Sequence, residues 1–152
     1  MKSSELLLSD PLHTTAAFAA TLGGSFNCER VMTAKPSQGK RVLVVDDNED
    51  AATTLADLIG MMGSEAEVAF DGASAVTAVM RVQPDIVLLD IGLPDIDGYE
   101  VARRIRALSG VAQPRLIALT GWAEDSKMSE QAGFDEHWTK PVDAQRLQAL
   151  AA

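Results

Sequence analysis

The sequence predicts an α/β fold in which a doubly wound, five-stranded parallel sheet lies between two layers of helices. Three observations favour this fold class. Short apolar runs alternate with amphipathic segments throughout residues 40–152. The runs at 42–45, 86–89 and 116–119 are apolar at every position, which is typical of central parallel strands. Five strand–helix units with right-handed connections favour the strand order 2-1-3-4-5.

The first unit begins with the strand Val42-Leu43-Val44-Val45. Asn48 is a helix-capping residue type, and it precedes a helix that has Leu55 and Ile59 on one face. We expect this helix to end near Gly63.

The second unit has a weaker strand signal, Val68-Ala69-Phe70, followed by the pair Asp71-Gly72. This pair is typical of a turn. The helix that comes next has Ala75, Val76 and Val79 on one face, and we expect it to end before Pro84.

The remaining three units continue the alternation. Two further strands are fully apolar, the third is short, and the helix before that short strand is polar. The predicted elements are a strand at 86–89, a helix at 98–108, a strand at 116–119, a helix at 125–132, a strand at 136–139 and a helix from Val142.

Residues 1–39 are predicted to be a poorly ordered tail or linker. They show no sustained periodicity and end in Lys35-Pro36-Ser37-Gln38-Gly39, which is a linker composition. The domain is therefore expected to span residues 40–152.

Composition excludes several classes of protein. The net charge of −9, from 22 acidic and 13 basic residues, argues against a nucleic-acid-binding surface. The single cysteine, Cys28, excludes an intramolecular disulfide and a cysteine-rich zinc site, and it fits a reducing compartment. No apolar run is long enough to cross a bilayer, so we expect a cytoplasmic protein without membrane insertion.

Polar residues follow four of the predicted strands, where the chain leaves the sheet. They are Asp46 and Asp47, Asp90, Thr120 and Lys140. The carboxyl ends of parallel strands share one edge, so we expect these side chains to converge. Converging carboxylates favour Mg²⁺, and a lysine and a hydroxyl beside them favour a phosphoryl group. A carboxylate can itself be the nucleophile in phosphoryl transfer.

Residues 40–152 resemble the response-regulator receiver domains of two-component signalling over essentially their whole length. The resemblance rests on "VLVVDDNEDA", "PDIVLLDIGLPDIDGYEVARRIR", "LIALTGW" and "GFDEHWTKPVD". It implies a flavodoxin-like fold and a switch that accepts a phosphoryl group from a histidine kinase or phosphotransfer domain. Such a domain is not an enzyme in the usual sense, because it catalyses only its own phosphorylation and dephosphorylation.

The resemblance also implies the metal ligands and the phosphoacceptor. Asp90 matches the aspartate that is phosphorylated. Asp46 and Asp47 match the acidic pair that positions Mg²⁺, with Asp47 as the direct ligand, and Asp90 completes the set. Gly92 matches the residue whose backbone carbonyl contacts the metal.

Further positions match the family's phosphate contacts and switch. Thr120 and Lys140 match the residues that contact the phosphoryl group, and Lys140-Pro141 matches a peptide bond that is usually cis. Thr120 and His137 match the switch pair. Gly92 and Trp122 match the pair of positions that flank the phosphoryl group and control dephosphorylation.

Several alternatives stay open at this stage. Asp95 and Asp97 fit turn chemistry rather than metal binding. His137 is favoured as a conformational switch over a general base, because a carboxylate nucleophile needs no base. Trp122 either shields the phosphoryl group or points outward to bind a partner.

The function has alternatives as well. One is a Mg²⁺-dependent aspartyl-phosphate phosphohydrolase, which is disfavoured because Gly92 stands where the haloacid dehalogenase type has a second acid. A DNA-binding output is not expected, since no helix-turn-helix follows Pro141. The chain is either a stand-alone regulator or a piece of a hybrid histidine kinase, whose receivers often read "LTGW" and "KPVD". The downstream protein is unidentified, and a homodimer is an open alternative.

Overall fold

The computed structural model describes residues 39–121 and 126–152. In this part of the chain, five strands form a single parallel sheet in the order β2-β1-β3-β4-β5. The predicted fold class and strand order are therefore confirmed. In chain order, the strands are β1 (Arg41–Val45), β2 (Glu65–Ala69), β3 (Ile86–Asp90), β4 (Arg115–Thr120) and β5 (Glu136–Thr139).

Helices connect the strands and lie on both faces of the sheet. Within the described residues they are α1 (Glu49–Met61), α2 (Gly72–Val82), α3 (Gly98–Arg106), α4 (Ser126–Ala132) and α5 (Ala144–Ala151). As predicted, Asn48 caps α1, with its side-chain oxygen accepting a hydrogen bond from the backbone nitrogen of Ala51 at 3.2 Å. No helix in this part of the chain is long and apolar enough to cross a membrane.

The core has two halves because successive side chains of a strand point to opposite faces of the sheet. One half packs beneath α2 and α3 and includes Leu43, Val45, Val87 and Leu89. The other packs beneath α1 and α5 and includes Val42, Val44, Ile86 and Leu88. β1 and the apolar part of β3 are thus buried on both faces, which explains their continuous apolar sequences.

The second unit differs from its prediction. The strand runs over Glu65–Ala69 rather than 68–70, because Glu65 and Glu67 face outward at the sheet edge and interrupt the apolar run. The pair Asp71-Gly72 is the start of a helix and not a separate turn. The Asp71 carboxylate accepts a hydrogen bond from the backbone nitrogen of Ser74 at 2.7 Å and so caps α2.

Candidate functional site

Three carboxylates meet at the carboxyl edge of the sheet. Asp46 and Asp47 follow β1, and Asp90 ends the neighbouring β3. Each carboxylate offers an oxygen that lies within 4.8 Å of those of the other two. Asp46 is buried, Asp90 is half-buried and Asp47 is exposed. The predicted convergence of these side chains is therefore observed.

Lys140 joins this cluster from the end of β5. Its Nζ lies 2.9 Å from Oδ2 of Asp46 and 3.0 Å from Oδ2 of Asp90. Its backbone nitrogen donates to the carbonyl oxygen of Thr120 at 2.7 Å, which ties the start of the following loop to β4. The Lys140–Pro141 peptide bond is cis, as the resemblance implies.

The contacts of Lys140 keep both Asp46 and Lys140 in their charged forms. Burial tends to raise the pKa of Asp46, but hydrogen bonds from Lys140 and the Asn48 backbone outweigh it and hold that pKa below its ordinary value of 3.8. Burial tends to lower the pKa of Lys140, but its hydrogen bonds to Asp46 and Asp90 raise it above 10.5. Asp46 is therefore an ionised carboxylate and Lys140 an ammonium group at neutral pH.

Backbone donors fix the second oxygen of two carboxylates. The backbone nitrogen of Asn48 donates to Oδ1 of Asp46 at 3.0 Å, and that of Gly92 donates to Oδ1 of Asp90 at 3.0 Å. Asp47, which is exposed, presents its carboxylate at the mouth of the cluster.

The donor set fits Mg²⁺. The cluster consists of carboxylate oxygens, which are hard ligands, and it has no soft sulfur donor. Three negative charges against the single charge of Lys140 leave a surplus that a divalent cation would neutralise.

The loop after β3 is anchored at both ends. The backbone nitrogen of Gly98 donates to the carbonyl of Ile91 at 3.0 Å. A Cβ at Gly98 would lie 2.6 Å from Cα of Ile91, so this closure requires a glycine. Asp95 holds the tip of the loop, because its carboxylate accepts hydrogen bonds from the backbone nitrogens of Gly72 at 2.9 Å and Ala73 at 3.1 Å.

Sequence reasoning assigned Asp95 to a turn and missed this contact with the start of α2. The hydrogen bond from Gly72 is the main reason that the pKa of Asp95 lies below its ordinary value. Asp97 meets the expectation of a loop residue, since it caps α3 by accepting from the backbone nitrogen of Tyr99 at 2.8 Å. Neither acid belongs to the carboxylate cluster.

Thr120 and His137 are in direct contact on the neighbouring strands β4 and β5. Oγ1 of Thr120 lies 3.0 Å from Nε2 of His137. Thr120 is buried and His137 is half-buried. The predicted switch pair is thus placed side by side, next to the strand end that leads to Lys140.

Two predictions fall on residues that the structure does not describe. Trp122 lies outside the described ranges, as do residues 1–38 of the predicted tail. The partner position Gly92 is described, and it is exposed at the start of the loop after Asp90.

A groove of about 700 Å³ opens beside the cluster, between α1 and the segment that leads into α5. Asp46 and Lys140 form part of its wall. Most of the remaining wall is apolar and includes Leu55, Leu58, Val142 and Leu147. The groove therefore joins an apolar surface to the charged site.

Comparisons with known proteins agree with this geometry. The family model described as "Response regulator receiver domain" matches residues 42–152. The DNA-binding response regulator MtrA of Mycobacterium tuberculosis (strain H37Rv) is 38% identical over 110 residues, covering 72% of this chain and 48% of that protein. The sensor histidine kinase RcsC of Salmonella typhi is 33% identical over 121 residues, covering 79% of this chain and 13% of that protein. The chain thus spans half or less of the length of these two relatives.

Solved structures show the same fold. One is the receiver domain of the sensor histidine kinase PA1611 from Pseudomonas aeruginosa PAO1, which has a magnesium ion coordinated in its active-site cleft. Its sequence is 32% identical to this one, the TM-score is 0.66, and the match covers 74% of this chain and 93% of that structure.

Proposed function

This chain belongs to the response regulator receiver family, and from that premise we propose that Asp90 is the residue through which it works as a phosphorylation-controlled signalling switch. Residues 40–152 constitute the receiver domain in this proposal, and residues 1–39 are its tail or linker. The observation that carries the proposal is the position of Lys140, whose Nζ lies within hydrogen-bonding distance of both Asp46 and Asp90.

Asp90 is the acceptor in this proposal because it combines access with orientation. It ends a central strand and is half-buried, whereas Asp46 is buried. Its two oxygens are held by different donors, Lys140 on Oδ2 and the backbone nitrogen of Gly92 on Oδ1. A carboxylate held in this way can attack without first reorganising.

Asp46, Asp47 and Asp90 would hold Mg²⁺, together with the backbone carbonyl of Gly92. When bound, the metal supplies positive charge to the oxygens of the transferring phosphoryl group. Lys140 contributes a second positive charge beside Asp90, and the hydroxyl of Thr120 donates a hydrogen bond to a phosphoryl oxygen.

The transfer step is a displacement at phosphorus. A carboxylate oxygen of Asp90 attacks the phosphorus of a phosphohistidine on a histidine kinase or phosphotransfer domain. The P–O bond forms as the P–N bond breaks, and the departing nitrogen keeps the electron pair and takes a proton from solvent. The switch is turned off by hydrolysis, in which water attacks the phosphorus, the bond to Asp90 breaks and inorganic phosphate leaves. In this proposal Gly92 and Trp122 control the access of that water to the phosphorus, and no other substrate is turned over.

The groove beside the site is the docking surface for the phosphodonor in this proposal. A protein donor that covers the apolar wall around Leu58 would be placed next to Asp46 and Lys140, which line the same groove. Burial of that apolar surface would supply binding free energy. A small donor such as acetyl phosphate needs no such surface.

The output of the switch is a change of surface around β4 and β5. Once the Thr120 hydroxyl donates to the phosphoryl group, its hydrogen bond with Nε2 of His137 must change. Because His137 is a residue of β5, the change at Thr120 is transmitted to that strand. The two states differ in population, and the phosphoryl group favours one of them. We propose a protein as the downstream partner, because the net charge of −9 disfavours nucleic acid.

Labelling by acetyl phosphate tests the proposal. The full-length chain should acquire one phosphoryl group when Mg²⁺ is present and none when it is chelated, as measured by intact-protein mass spectrometry. Asp90→Asn should abolish labelling. Asp85→Asn is the matched control, because Asp85 stands at the opposite end of the same strand, where it accepts a hydrogen bond from the backbone nitrogen of Arg41 at 2.8 Å. Full labelling of Asp90→Asn would refute the assignment.

A further inference from the structure

Ser129 is a buried polar residue that the sequence analysis did not single out. It lies on α4, the residue is 2% exposed, and its Oγ is 3.3 Å from Nδ1 of His137. Buried hydroxyls are expected to be hydrogen-bonded, so this contact matters for both side chains. It connects α4 to β5.

His137 therefore stands between two hydroxyl groups. Its Nε2 faces Thr120 at 3.0 Å and its Nδ1 faces Ser129 at 3.3 Å. A neutral imidazole has one N–H donor and one nitrogen acceptor, whereas each hydroxyl can donate or accept. The three groups consequently form a relay with two possible directions.

In the first direction, Thr120 donates to Nε2 while Nδ1–H donates to Ser129. In the second, Nε2–H donates to Thr120 while Ser129 donates to Nδ1. Both directions satisfy the same three side chains in the absence of a phosphoryl group. The two differ in the histidine tautomer and in the orientation of the Ser129 hydroxyl.

We propose that Ser129 is a positioning residue of the switch, and that phosphorylation of Asp90 selects the second direction of this relay. The inference rests on the proposed function. A threonine hydroxyl has a single hydrogen, so when Thr120 donates it to a phosphoryl oxygen only lone pairs remain for His137. The proton of His137 must then be on Nε2, and Ser129 must donate to Nδ1. Phosphorylation of Asp90 thereby changes the tautomer of His137 and the direction in which the Ser129 hydroxyl on α4 points.

The tautomer of His137 provides a direct readout. The full-length chain, with ¹⁵N in its histidine rings, is studied by long-range ¹H–¹⁵N NMR at pH 8, well above the ordinary range of histidine titration. Spectra are compared with Mg²⁺ alone and with Mg²⁺ plus beryllofluoride as the phosphoryl mimic. The sequence has two histidines, so His137→Gln assigns the signals and His13 serves as the internal control.

We expect beryllofluoride to move His137 towards the Nε2–H pattern and to leave His13 unchanged. Ser129→Ala should show the Nε2–H pattern both with and without beryllofluoride, because Nδ1–H then has no hydroxyl to donate to, and so it should lose the response. Asp90 should still be labelled by acetyl phosphate, because Ser129 lies outside the carboxylate cluster. Ser129→Thr keeps the hydroxyl and should restore the response. If its extra methyl group prevents folding, the wild-type tautomer shift and its loss in Ser129→Ala still decide the question.

Two results would overturn the inference. One is a His137 tautomer that does not change when beryllofluoride binds, and the other is a Ser129→Ala variant that responds like the wild type. Either result, in a chain whose Asp90 is labelled by acetyl phosphate, refutes the relay and leaves the proposed function intact. A chain that is not labelled at all refutes the proposed function and the relay together.

Discussion

Nζ of Lys140 lies 3.0 Å from Oδ2 of Asp90, although 50 positions separate the two residues in the chain. The same nitrogen contacts Asp46 at 2.9 Å, so one ammonium group lies between two carboxylates. In the absence of a metal ion, the ammonium group of Lys140 compensates the mutual repulsion of these carboxylates.

Lys140→Ala should therefore lower the free energy of unfolding in Mg²⁺-free buffer at neutral pH, by about 1–3 kcal/mol. Addition of Mg²⁺ should restore part of the loss, since a divalent cation also neutralises the carboxylates. Urea unfolding with and without Mg²⁺ measures both effects. Lys127→Ala, which removes an exposed lysine on α4, is the control. Equal stability of Lys140→Ala and the wild type without Mg²⁺ would contradict this account.

Asp47→Ala should weaken Mg²⁺ binding more than Asp46→Ala does. Both oxygens of Asp46 already accept hydrogen bonds, from Asn48 and Lys140, whereas Asp47 is exposed at the mouth of the cluster. We expect a loss of about tenfold or more for Asp47→Ala, equivalent to about 1.4 kcal/mol. Titration calorimetry with MgCl₂ measures it, with Asp57→Ala on α1 as the control. A larger loss for Asp46→Ala would make Asp46 the direct ligand.

The sequence was sufficient to predict the sheet and the convergence of the site because both depend on the strands. Apolar runs identified three of the strands, and parallel pairing places their carboxyl ends on one edge. The acidic pair after β1, Asp90 and Lys140 could then be expected to meet. The edge strand β2 was the one placed too late in the sequence, since Glu65 and Glu67 alternate with less exposed residues.

Contacts that depend on helix placement could not be predicted in this way. Asp95 caps α2 across 23 positions of sequence, and Ser129 reaches His137 from a different element. Local patterns describe a residue's own segment, so they assigned Asp95 to its own turn. Arg106 is a similar case, because it lies in the last turn of α3 and contacts a different part of the chain. It donates to the carbonyl of Gly133 at 2.9 Å and pairs with Asp135.

Asp95→Ala should destabilise the domain by about 1 kcal/mol at pH 7, the ordinary loss for a helix cap. The pKa of Asp95 is lower in the folded state, so its stabilisation is complete above its ordinary value of 3.8 and is lost as the pH falls below it. The stability difference between wild type and variant should therefore shrink on acidification. Chemical unfolding at pH 7 and at lower pH measures this, with Glu130→Ala as the control. A difference that grows at low pH would exclude the carboxylate cap.

Leu58→Glu should slow phosphotransfer from a histidine kinase that labels the wild-type chain, by about tenfold. Leu58 is 40% exposed and lines the groove beside the site, so the charge would disrupt an apolar contact with the donor. Labelling by acetyl phosphate, which needs no groove, is the internal reference. Met61→Glu is the matched control, because Met61 lies on the same helix, is 83% exposed and is not part of the groove wall. Equal effects of the two variants on the kinase reaction would argue against the groove.

Trp122→Ala should hasten loss of the phosphoryl group by roughly tenfold, about 1.4 kcal/mol of barrier, if the indole shields the phosphorus from water. Gly92, at the other flanking position, has no side chain that could orient a water molecule. The half-life of the phosphorylated chain in saturating Mg²⁺ is the measurement. An unchanged half-life would leave Trp122 as a residue of the partner surface.

The ion pair between Asp46 and Lys140 joins residues that are 94 positions apart. Neither the first strand–helix unit nor the last contains the whole cluster, so the charges meet only when β1 and β5 are held in the same sheet through β3 and β4. A molecule in which β5 is detached would lack the ammonium group that contacts Asp46 and Asp90, and we expect it to accept a phosphoryl group less readily. Phosphorylation of Asp90 is therefore expected mainly in copies whose sheet is complete. A misfolded copy should stay largely unphosphorylated, so it should not signal in the absence of the kinase.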